Sequence, residues 1–245
     1  MPIHDFKSQR LFLDHSMHLH AAIELDRNQA NYLISVLRMR KGSQILVFNG
    51  RDGEWRAELD ITGRKSGTLT LVEQTRPQPP AGDLLYCFAP LKQARLDYMV
   101  QKATEMGAGA LQPVVTQHTQ SLKINPERMR ANAIEAAEQC GILSVPACCE
   151  MVRLDTLLDA WDTDRVLIFA DEAAEETNPL AALKPCRGRP LGLLIGPEGG
   201  FTQAERDQIL ALENAVTISL GPRILRADTA AVAALAVIQA ACGDW

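Results

Sequence analysis

The stretch LGLLIGPEGGFTQAE, residues 191–205, decides the fold class of this 245-residue chain. Its first five residues, Leu191 to Ile195, form the short apolar run that is typical of a buried strand. A loop with three glycines follows, and Thr202 stands three residues before Glu205, the capping-box spacing at which a helix begins. The stretch therefore predicts a strand, a glycine-rich loop and a helix in succession, which is the repeating unit of a parallel α/β sheet.

The glycine-rich loop of this stretch, GPEGG at residues 196–200, differs from the common nucleotide-binding loops. No Gly-Lys-Ser/Thr follows it, and its glycine spacing does not match the dinucleotide fingerprint. Glu198 would also repel a pyrophosphate. A carboxylate among glycines suits a ligand with hydroxyls, amides or a positive charge, and the glycines let such a ligand touch the backbone. A tight turn followed by a helix cap is the purely structural alternative.

A second stretch repeats this arrangement. Val216 to Leu220 predicts a strand, the loop GPRILR follows at residues 221–226, and Asp228 or Thr229 is expected to cap an alanine-rich helix. Both predicted strands therefore lead into Gly-Pro, where glycine can take a positive φ and the residue before proline avoids the helical region. We expect the two loops to border one crevice at the carboxyl edge of a parallel sheet.

Composition indicates a globular protein with an ample core. Hydrophobic residues make up 47% of the sequence, and the formal net charge of −5 argues against a nonspecific nucleic-acid binder. The charge is uneven, since residues 1–75 contain 10 Lys or Arg against 9 Asp or Glu. The polar start, MPIHDFKSQR, has no signal-peptide pattern, and the apolar run from Ala230 to Val237 is too short to span a bilayer. We therefore expect a cytoplasmic protein without a membrane segment.

Cysteine and histidine spacing predicts neither a metal site nor a nucleophile set. The six Cys are scattered without a Cys-x-x-Cys pair, which is typical of reduced thiols in a cytosolic protein. Four of the five His lie between residues 4 and 20 without metal-ligand spacing, and they are expected on the surface. No Ser-His-Asp or Cys-His arrangement indicates covalent catalysis.

Periodicity divides the chain into two predicted domains, residues 1–75 and 83–245, joined by the proline-rich linker RPQPPAG at 76–82. Closely spaced strands in the first domain suggest a small β-barrel. Its predicted elements are strands at 10–13, 44–48, 54–61 and 68–72 and an amphipathic helix at 26–40. Strands and helices alternate in the second domain, which predicts a parallel sheet with covering helices. Its elements before residue 191 are strands at 84–89, 111–115 and 166–170 and helices at 92–106 and 126–140.

Four stretches of the sequence resemble one family. IGPEGG at 195–200 and LGPRILRADTA at 220–230 are similar to the paired C-terminal signature of the ribosomal small-subunit methyltransferase E family, which are SPOUT-class 16S rRNA (uracil-N3) methyltransferases. QKATEMG at 101–107 and AAEQCG at 136–141 also resemble that family, so the similarity covers nearly the whole chain. Two positions depart from its pattern: Ile142 stands where Arg often follows Cys-Gly, and Asp228 stands where Glu is usual.

The resemblance implies a C-terminal SPOUT α/β domain tied in a deep trefoil knot, a small N-terminal PUA-like β-barrel domain that binds RNA, and a homodimer. It implies methyl transfer from S-adenosylmethionine to N3 of a uridine in the 16S rRNA of the small ribosomal subunit, with no membrane and no metal. A noncatalytic RNA-binding ribosome-assembly factor that retains the fold is the alternative. The departure at Ile142 favours that alternative, whereas the intact glycines and Arg226 argue against it.

The resemblance also implies which residues form the site. Arg226 and Glu198 are the predicted catalytic residues: Arg226 would steady the uracil oxygens or a target phosphate, and Glu198 would contact the ribose or methionine part of the cofactor. A salt bridge from Arg226 to Asp228 or Glu198 is the structural alternative. The loop near Asp171 and Glu172 is expected to form the third side of the pocket. The predicted cofactor-binding residues are Phe169, Glu172, Ile195, Gly196, Glu198, Gly199, Gly200, Ile218, Leu220, Gly221, Ile224, Leu225 and Thr229.

Basic residues of the first domain are the predicted RNA contacts. Arg38, Arg40 and Lys41 form a run just after the predicted helix, and Arg10 is expected to join them. Such residues would contact phosphates, which position an RNA without reading its sequence. An ordinary solvated face is the alternative for each of them.

Overall fold

The computed structural model describes residue 5 and residues 8–174 and 178–245, and these form two compact units. Unit 1 extends to Ala81 and also contains Ala137–Val145, whereas unit 2 contains Gly82–Ala136 and Pro146–Trp245. The predicted division at 1–75, 76–82 and 83–245 is continuous in sequence, so it did not anticipate a segment from the middle of the chain in unit 1. His4, one of the predicted surface histidines, lies outside the described residues.

Unit 1 contains a five-stranded sheet in the order β1-β3-β4-β5-β2. Its strands are β1 (Arg10–Phe12), β2 (Ala22–Glu24), β3 (Gln44–Phe48), β4 (Glu54–Gly63) and β5 (Ser66–Arg76). β1 pairs with β3 in parallel, and the other pairs are antiparallel. The four predicted strands are present, with β4 and β5 longer than expected. β2 was not predicted, because three residues are too few for a periodic pattern.

The helix predicted at residues 26–40 is shorter and changes type. Helix α1 (Arg27–Asn31) begins at Asp26, whose side chain accepts hydrogen bonds from the first backbone N–H groups. A π-helical turn over Tyr32–Val36 continues it. Arg38 then has a φ of +55°, and a left-handed residue cannot continue a right-handed helix. The predicted C-terminal end was therefore wrong, and the basic run lies in the turn before β3.

The segment Ala137–Val145 packs onto the sheet of unit 1. Ala137 and Leu143 form an apolar cluster with Phe48, against which Ile142 also packs. The position at which the family pattern has Arg is therefore a packing position in this chain. Glu138 Oε1 accepts a hydrogen bond from the Phe12 N–H at 2.8 Å, so this segment is also tied to β1 by its polar groups.

Unit 2 is built around a parallel sheet in the order β12-β10-β11-β6-β7-β8, with β9 paired to β7. Its strands are β6 (Leu84–Phe88), β7 (Ala108–Val115), β8 (Ala147–Cys148), β9 (Val152–Arg153), β10 (Val166–Ala170), β11 (Leu191–Ile195) and β12 (Ala215–Ile218). Its helices are α2 (Gln93–Glu105), α3 (Pro126–Cys140, whose last turn belongs to unit 1), α4 (Leu154–Asp159), α5 (Pro179–Leu183), α6 (Gln203–Leu210) and α7 (Ala227–Cys242). The α/β prediction with a parallel sheet is confirmed.

β11 occupies the interior of this sheet, between β10 and β6. All five of its residues are buried, as the apolar run predicted. The predicted capping box is also present, since Thr202 and Glu205 exchange hydrogen bonds with each other's backbone N–H at the start of α6. No helix among the described residues is long and apolar enough to cross a bilayer.

Candidate active site

A cavity of about 260 Å³ lies at the edge of unit 2 where β10, β11 and β12 end. These three strands are parallel and adjacent, so their carboxyl ends meet at one edge of the sheet. The loops that follow β11 and β12 both line the cavity, together with the loop after β10. The prediction that the two Gly-Pro loops border one crevice is therefore confirmed.

Most of the predicted cofactor-binding residues lie on the wall of this cavity. Gly199, Ile218 and Thr229 are not among its lining residues: Ile218 is fully buried at the end of β12, and Thr229 is exposed on α7. Arg206 and Phe201 line the wall although they were not predicted to do so. The predicted residues that line it are Phe169, Glu172, Ile195, Gly196, Glu198, Gly200, Leu220, Gly221, Ile224 and Leu225.

Glycines shape the wall for two different reasons. A Cβ atom on Gly196 would lie 2.5 Å from the ring of Phe201, which itself packs edge-on against Phe169 at a centroid distance of 5.2 Å. Gly221 has open space around it but a φ of +95°, a conformation that other residues rarely adopt. The first glycine is therefore required by packing and the second by backbone conformation.

Charged side chains of both signs line the cavity, namely Asp171, Glu172, Glu198, Arg206 and Arg223. Asp171 is buried and pairs with Arg206 at 2.7 Å between Oδ2 and Nη2, and Glu198 pairs with Arg95 at 3.2 Å. Among the described residues, Glu172 has neither an ion pair nor a side-chain hydrogen bond. Within the described ranges, the Glu172 carboxylate is therefore not engaged in an ion pair and can meet a cationic or hydroxyl-bearing ligand.

Arg226 does not form the salt bridge that was its structural alternative. Arg95 takes that place, with Nη1 3.2 Å from Glu198 Oε1 and Nε 3.9 Å from Asp228 Oδ2. Arg226 is exposed and lies between the lining residues Leu225 and Ala227 without lining the cavity itself. It carries no ion pair within the described part of the chain.

The predicted cap of α7 is wrong by a few residues. Arg226 occupies the cap position, with φ −67° and ψ 151°, and its side chain makes no capping hydrogen bond. Asp228 already lies in the first turn, where its Oδ1 accepts a hydrogen bond from the neighbouring N–H of Thr229 at 2.9 Å. An acidic side chain in the first turn still favours the positive end of the helix dipole.

The loop after β7 holds the glycine-rich loop from another side, which sequence reasoning missed. His118 Nδ1 lies 2.9 Å from the carbonyl oxygen of Gly199, and since a carbonyl can only accept, Nδ1 carries the proton and donates. The N–H of Gln117 donates to Glu205 Oε1 at 2.7 Å. No spacing in the sequence signals these contacts, because they join residues more than 80 positions apart.

Three of the four predicted RNA contacts are exposed, and one is not. Arg38, Arg40 and Lys41 lie on the surface of unit 1, and Lys41 pairs with Asp60 at 2.9 Å. The side chain of Arg10 is only 3% exposed and pairs with the equally buried Glu54 at 2.9 Å. The prediction for Arg10 is therefore corrected: a buried, ion-paired guanidinium has no surface with which to reach a phosphate.

Burial keeps several of the thiols protonated. Burial raises the pKa of Cys87 and Cys149, and it raises the pKa of Cys148 to about 11, so these groups stay protonated near neutral pH. No group of three or more potential metal ligands occurs within the described ranges.

Comparison with known proteins identifies the family. The RNA methyltransferase domain family matches residues 77–239, and the RNA methyltransferase PUA domain family matches residues 25–72. Ribosomal RNA small subunit methyltransferase E of Bacillus subtilis is 31% identical over 223 residues, which cover 86% of this chain and 87% of the relative. The enzyme of the same name from Synechocystis is 31% identical over 228 residues, which cover 91% and 74%.

Solved structures agree over almost the full length. A methyltransferase from Legionella pneumophila, in complex with the cofactor SAM, has a TM-score of 0.83 at 27% identity and covers 98% of this chain and 100% of that chain. Ribosomal RNA small subunit methyltransferase E from Neisseria gonorrhoeae, bound to S-adenosyl methionine, has a TM-score of 0.81 at 25% identity and covers 97% and 99%. With a PUA domain before its RNA methyltransferase domain, the chain belongs to the ribosomal RNA small subunit methyltransferase E family.

Proposed function

We propose that this protein transfers a methyl group from S-adenosylmethionine to N3 of a uridine in the 16S rRNA of the small ribosomal subunit. The observation that carries the proposal is the cavity that the two Gly-Pro loops line together. The names of the curated relatives and the adenosyl cofactor held by two solved neighbours support it.

The residues of the cavity fit S-adenosylmethionine. Ile195, Leu220 and Leu225 supply apolar walls for an adenine ring. Because Gly196 and Gly221 have no side chains, they leave exposed the backbone N–H and C=O groups that would form hydrogen bonds with adenine and ribose. Glu172 supplies a carboxylate for a ribose hydroxyl or a positively charged group. The cavity thus combines the apolar, hydrogen-bonding and anionic features that this cofactor requires.

Catalysis by this chain would consist of alignment and charge stabilisation. Bound S-adenosylmethionine supplies an electrophilic methyl group, so no covalent enzyme intermediate is required. Holding two reactants in line can lower a barrier by about 7–11 kcal/mol. As N3 of the uracil loses its proton to solvent water, negative charge develops on the flanking oxygens, and the exposed Arg226 beside the cavity would stabilise it. Arg95 holds Glu198, so that Glu198 orients the cofactor rather than accepting a proton.

The finer assignments form part of the same proposal. Residues 83–245 would form the SPOUT domain with its trefoil knot, and residues 1–75 would form the RNA-binding domain, with Arg38, Arg40 and Lys41 as phosphate contacts. Half-buried Val232 and Val237 on α7 support a homodimer through this helix. The protein would act in the cytoplasm on the small subunit or its 16S rRNA, without a metal or a membrane.

A noncatalytic RNA-binding assembly factor is the second candidate. The observation that favours it is Ile142, which packs into the apolar cluster of unit 1 and offers no charge to an RNA. The intact glycines and the exposed Arg226 favour catalysis instead.

Mass spectrometry of 16S rRNA separates these two candidates. A strain that lacks the gene should contain 16S rRNA without one N3-methyl on uridine, and the wild-type gene should restore it. Methylation that is unchanged by the deletion would support the assembly factor. Calorimetric titration of the purified protein with S-adenosylhomocysteine should show binding, and its absence would contradict the proposed cofactor.

A further inference from the structure

We propose that Arg95 is a positioning residue that holds two walls of the cavity together from outside. One wall is the loop after β11, which contains Glu198, and the other is the loop after β12 with the start of α7, which contains Asp228. Its guanidinium contacts Glu198 at 3.2 Å and Asp228 at 3.9 Å, but Arg95 is not among the lining residues. This role rests on the proposed function in one respect, because it assumes that the ligand of the cavity is an adenosyl compound.

The sheet itself does not connect these two walls directly. Glu198 belongs to the loop after β11, and Asp228 follows the loop after β12, whereas β10 lies between β11 and β12 in the sheet. Strand pairing therefore relates the two walls only through β10. The guanidinium of Arg95 provides a direct contact between them.

Both partners of Arg95 are part of the cavity wall or adjoin it. Glu198 lines the cavity, and the neighbours of Asp228 that line it are Ala227 and Ala230. The side chain of Asp228 is only 17% exposed, so its carboxylate is held close to the protein rather than free in solvent. A shift of either carboxylate would therefore move atoms that touch the ligand.

The position of Arg95 in its helix supports a role outside that helix. Arg95 lies in the first turn of α2, three residues after the cap residue Lys92, and this turn contains no acidic residue. Positive charge at a helix N-terminus opposes the helix dipole and destabilises the helix. Glu198 and Asp228 are the anionic partners that offset this cost.

Two adenosyl ligands distinguish a loosening of the walls from the mere loss of a positive charge near the cavity. S-adenosylmethionine carries a sulfonium charge, whereas S-adenosylhomocysteine does not. Removing a cation beside two carboxylates would by itself increase the affinity for the charged ligand and leave that for the neutral one unchanged. Loosening of the walls would weaken the binding of both ligands.

Titration calorimetry on the full chain carrying Arg95→Gln tests the proposal. We expect the affinity for S-adenosylhomocysteine to fall about tenfold, as for other coupled residues at a site. Arg128→Gln is the matched control, because Arg128 forms a comparable exposed pair with Asp97 at 2.6 Å that does not touch the cavity. The control should bind as the wild type does, and both variants should keep the wild-type unfolding temperature.

A double-mutant cycle completes the test. In a chain that already carries Glu198→Gln and Asp228→Asn, Arg95→Gln should cause much less further loss of S-adenosylhomocysteine affinity than it does in the wild type. Three outcomes would overturn the proposal. Arg95→Gln could lower the affinity for S-adenosylhomocysteine equally in both backgrounds, it could leave that affinity unchanged, or it could raise only the affinity for S-adenosylmethionine. Absence of binding by the wild type would instead refute the proposed function, and this role with it.

Discussion

At the scale of single residues, ion pairing separates the charged groups that hold the cavity from those that can engage a substrate. Glu198 and Asp171 are each paired with an arginine, whereas Glu172 and Arg226 carry no ion pair within the described ranges. A carboxylate in an ion pair is held in place and can still accept a further hydrogen bond, whereas a group without an ion pair is free to move toward a ligand. We accordingly assign Glu198 to orienting the cofactor, Glu172 to binding it, and Arg226 to the RNA.

Arg226→Ala should lower methyl transfer far more than it lowers cofactor affinity. The loss in rate should be on the order of 100-fold, because Arg226 would stabilise charge that develops only as the reaction proceeds. S-adenosylhomocysteine affinity should change little, since Arg226 does not line the cavity. Single-turnover methyl transfer and calorimetry measure the two effects, with the exposed Arg187→Ala as control. Equal losses in both would reassign Arg226 to the cofactor pocket.

Buried charge in unit 1 predicts a pH dependence of stability. Burial by itself raises the pKa of Glu54, but hydrogen bonds from Arg76, Thr75 and Arg10 outweigh it and hold that pKa below its ordinary value of 4.5. A lowered folded-state pKa adds stability above the ordinary value, and this stability is lost as pH falls through the folded-state pKa. Glu54→Gln would also leave two arginines without their buried partner.

Glu54→Gln should therefore destabilise unit 1 by about 3 kcal/mol at pH 7. Urea unfolding of wild type and variant, followed from pH 7 to pH 2, should show a difference that shrinks once the pH falls below 4.5. Glu58→Gln, a change at an exposed carboxylate on the same strand, is the control. A difference that stays constant over the whole range would show that the ionised form of Glu54 adds no stability.

At the scale of secondary-structure elements, the sequence predicted most accurately those elements whose bounds are set by neighbouring residues. The capping box of α6 and the strands β3, β10 and β11 involve neighbouring residues, and their predicted bounds agree with the structure. The helix at 26–40 and the cap of α7 were predicted less well. The left-handed backbone of Arg38 ends the first helix earlier than its side-chain pattern indicates. The extended backbone of Arg226 makes it the cap of α7, although its side chain is not a typical cap.

The start of α6 directly follows the glycine-rich loop, and changes there should lower stability. Thr202→Ala should cost about 1 kcal/mol, the usual cost of losing a helix cap. Glu205→Ala should cost more, because Glu205 also accepts the N–H of Gln117 at 2.7 Å. Thermal unfolding measures the order of the two effects, with the exposed Glu213→Ala as a neutral control. The reverse order would show that the hydrogen bond with Gln117 contributes nothing.

At the scale of the whole molecule, the chain is two units whose boundaries do not follow the sequence. The proline-rich linker marks one boundary closely, since unit 1 extends to Ala81. Residues 137–145 belong to unit 1 because Ile142 and Leu143 bury apolar surface there and Glu138 bonds to β1. Nothing in their periodicity distinguishes them from the rest of α3 and the loop after it.

The basic turn of unit 1 should make RNA binding depend on salt. Replacing Arg38, Arg40 and Lys41 with Ala should weaken binding of a 16S rRNA fragment and reduce the slope of log affinity against log salt, by up to about 0.7–0.9 for each phosphate that the variant no longer neutralises. Replacing Lys184, Arg187 and Arg189 in unit 2 removes the same charge and serves as control. Titrations at several salt concentrations measure both slopes. A slope equal to that of the wild type would remove this turn from the RNA surface.

By itself, the sequence determined the α/β class and the two Gly-Pro loops, which depend on short-range periodicity and backbone preference. Parallel strands bring their carboxyl ends together in any such sheet, so the crevice between the loops could be expected as well. The resemblance to a known family supplied ten of the residues that line the cavity. Only the tertiary structure decided that Arg10 is buried, that residues 137–145 join the first unit, and that Arg95 contacts both Glu198 and Asp228. These features depend on which distant residues become neighbours, because strand order, rather than periodicity, brings those residues together.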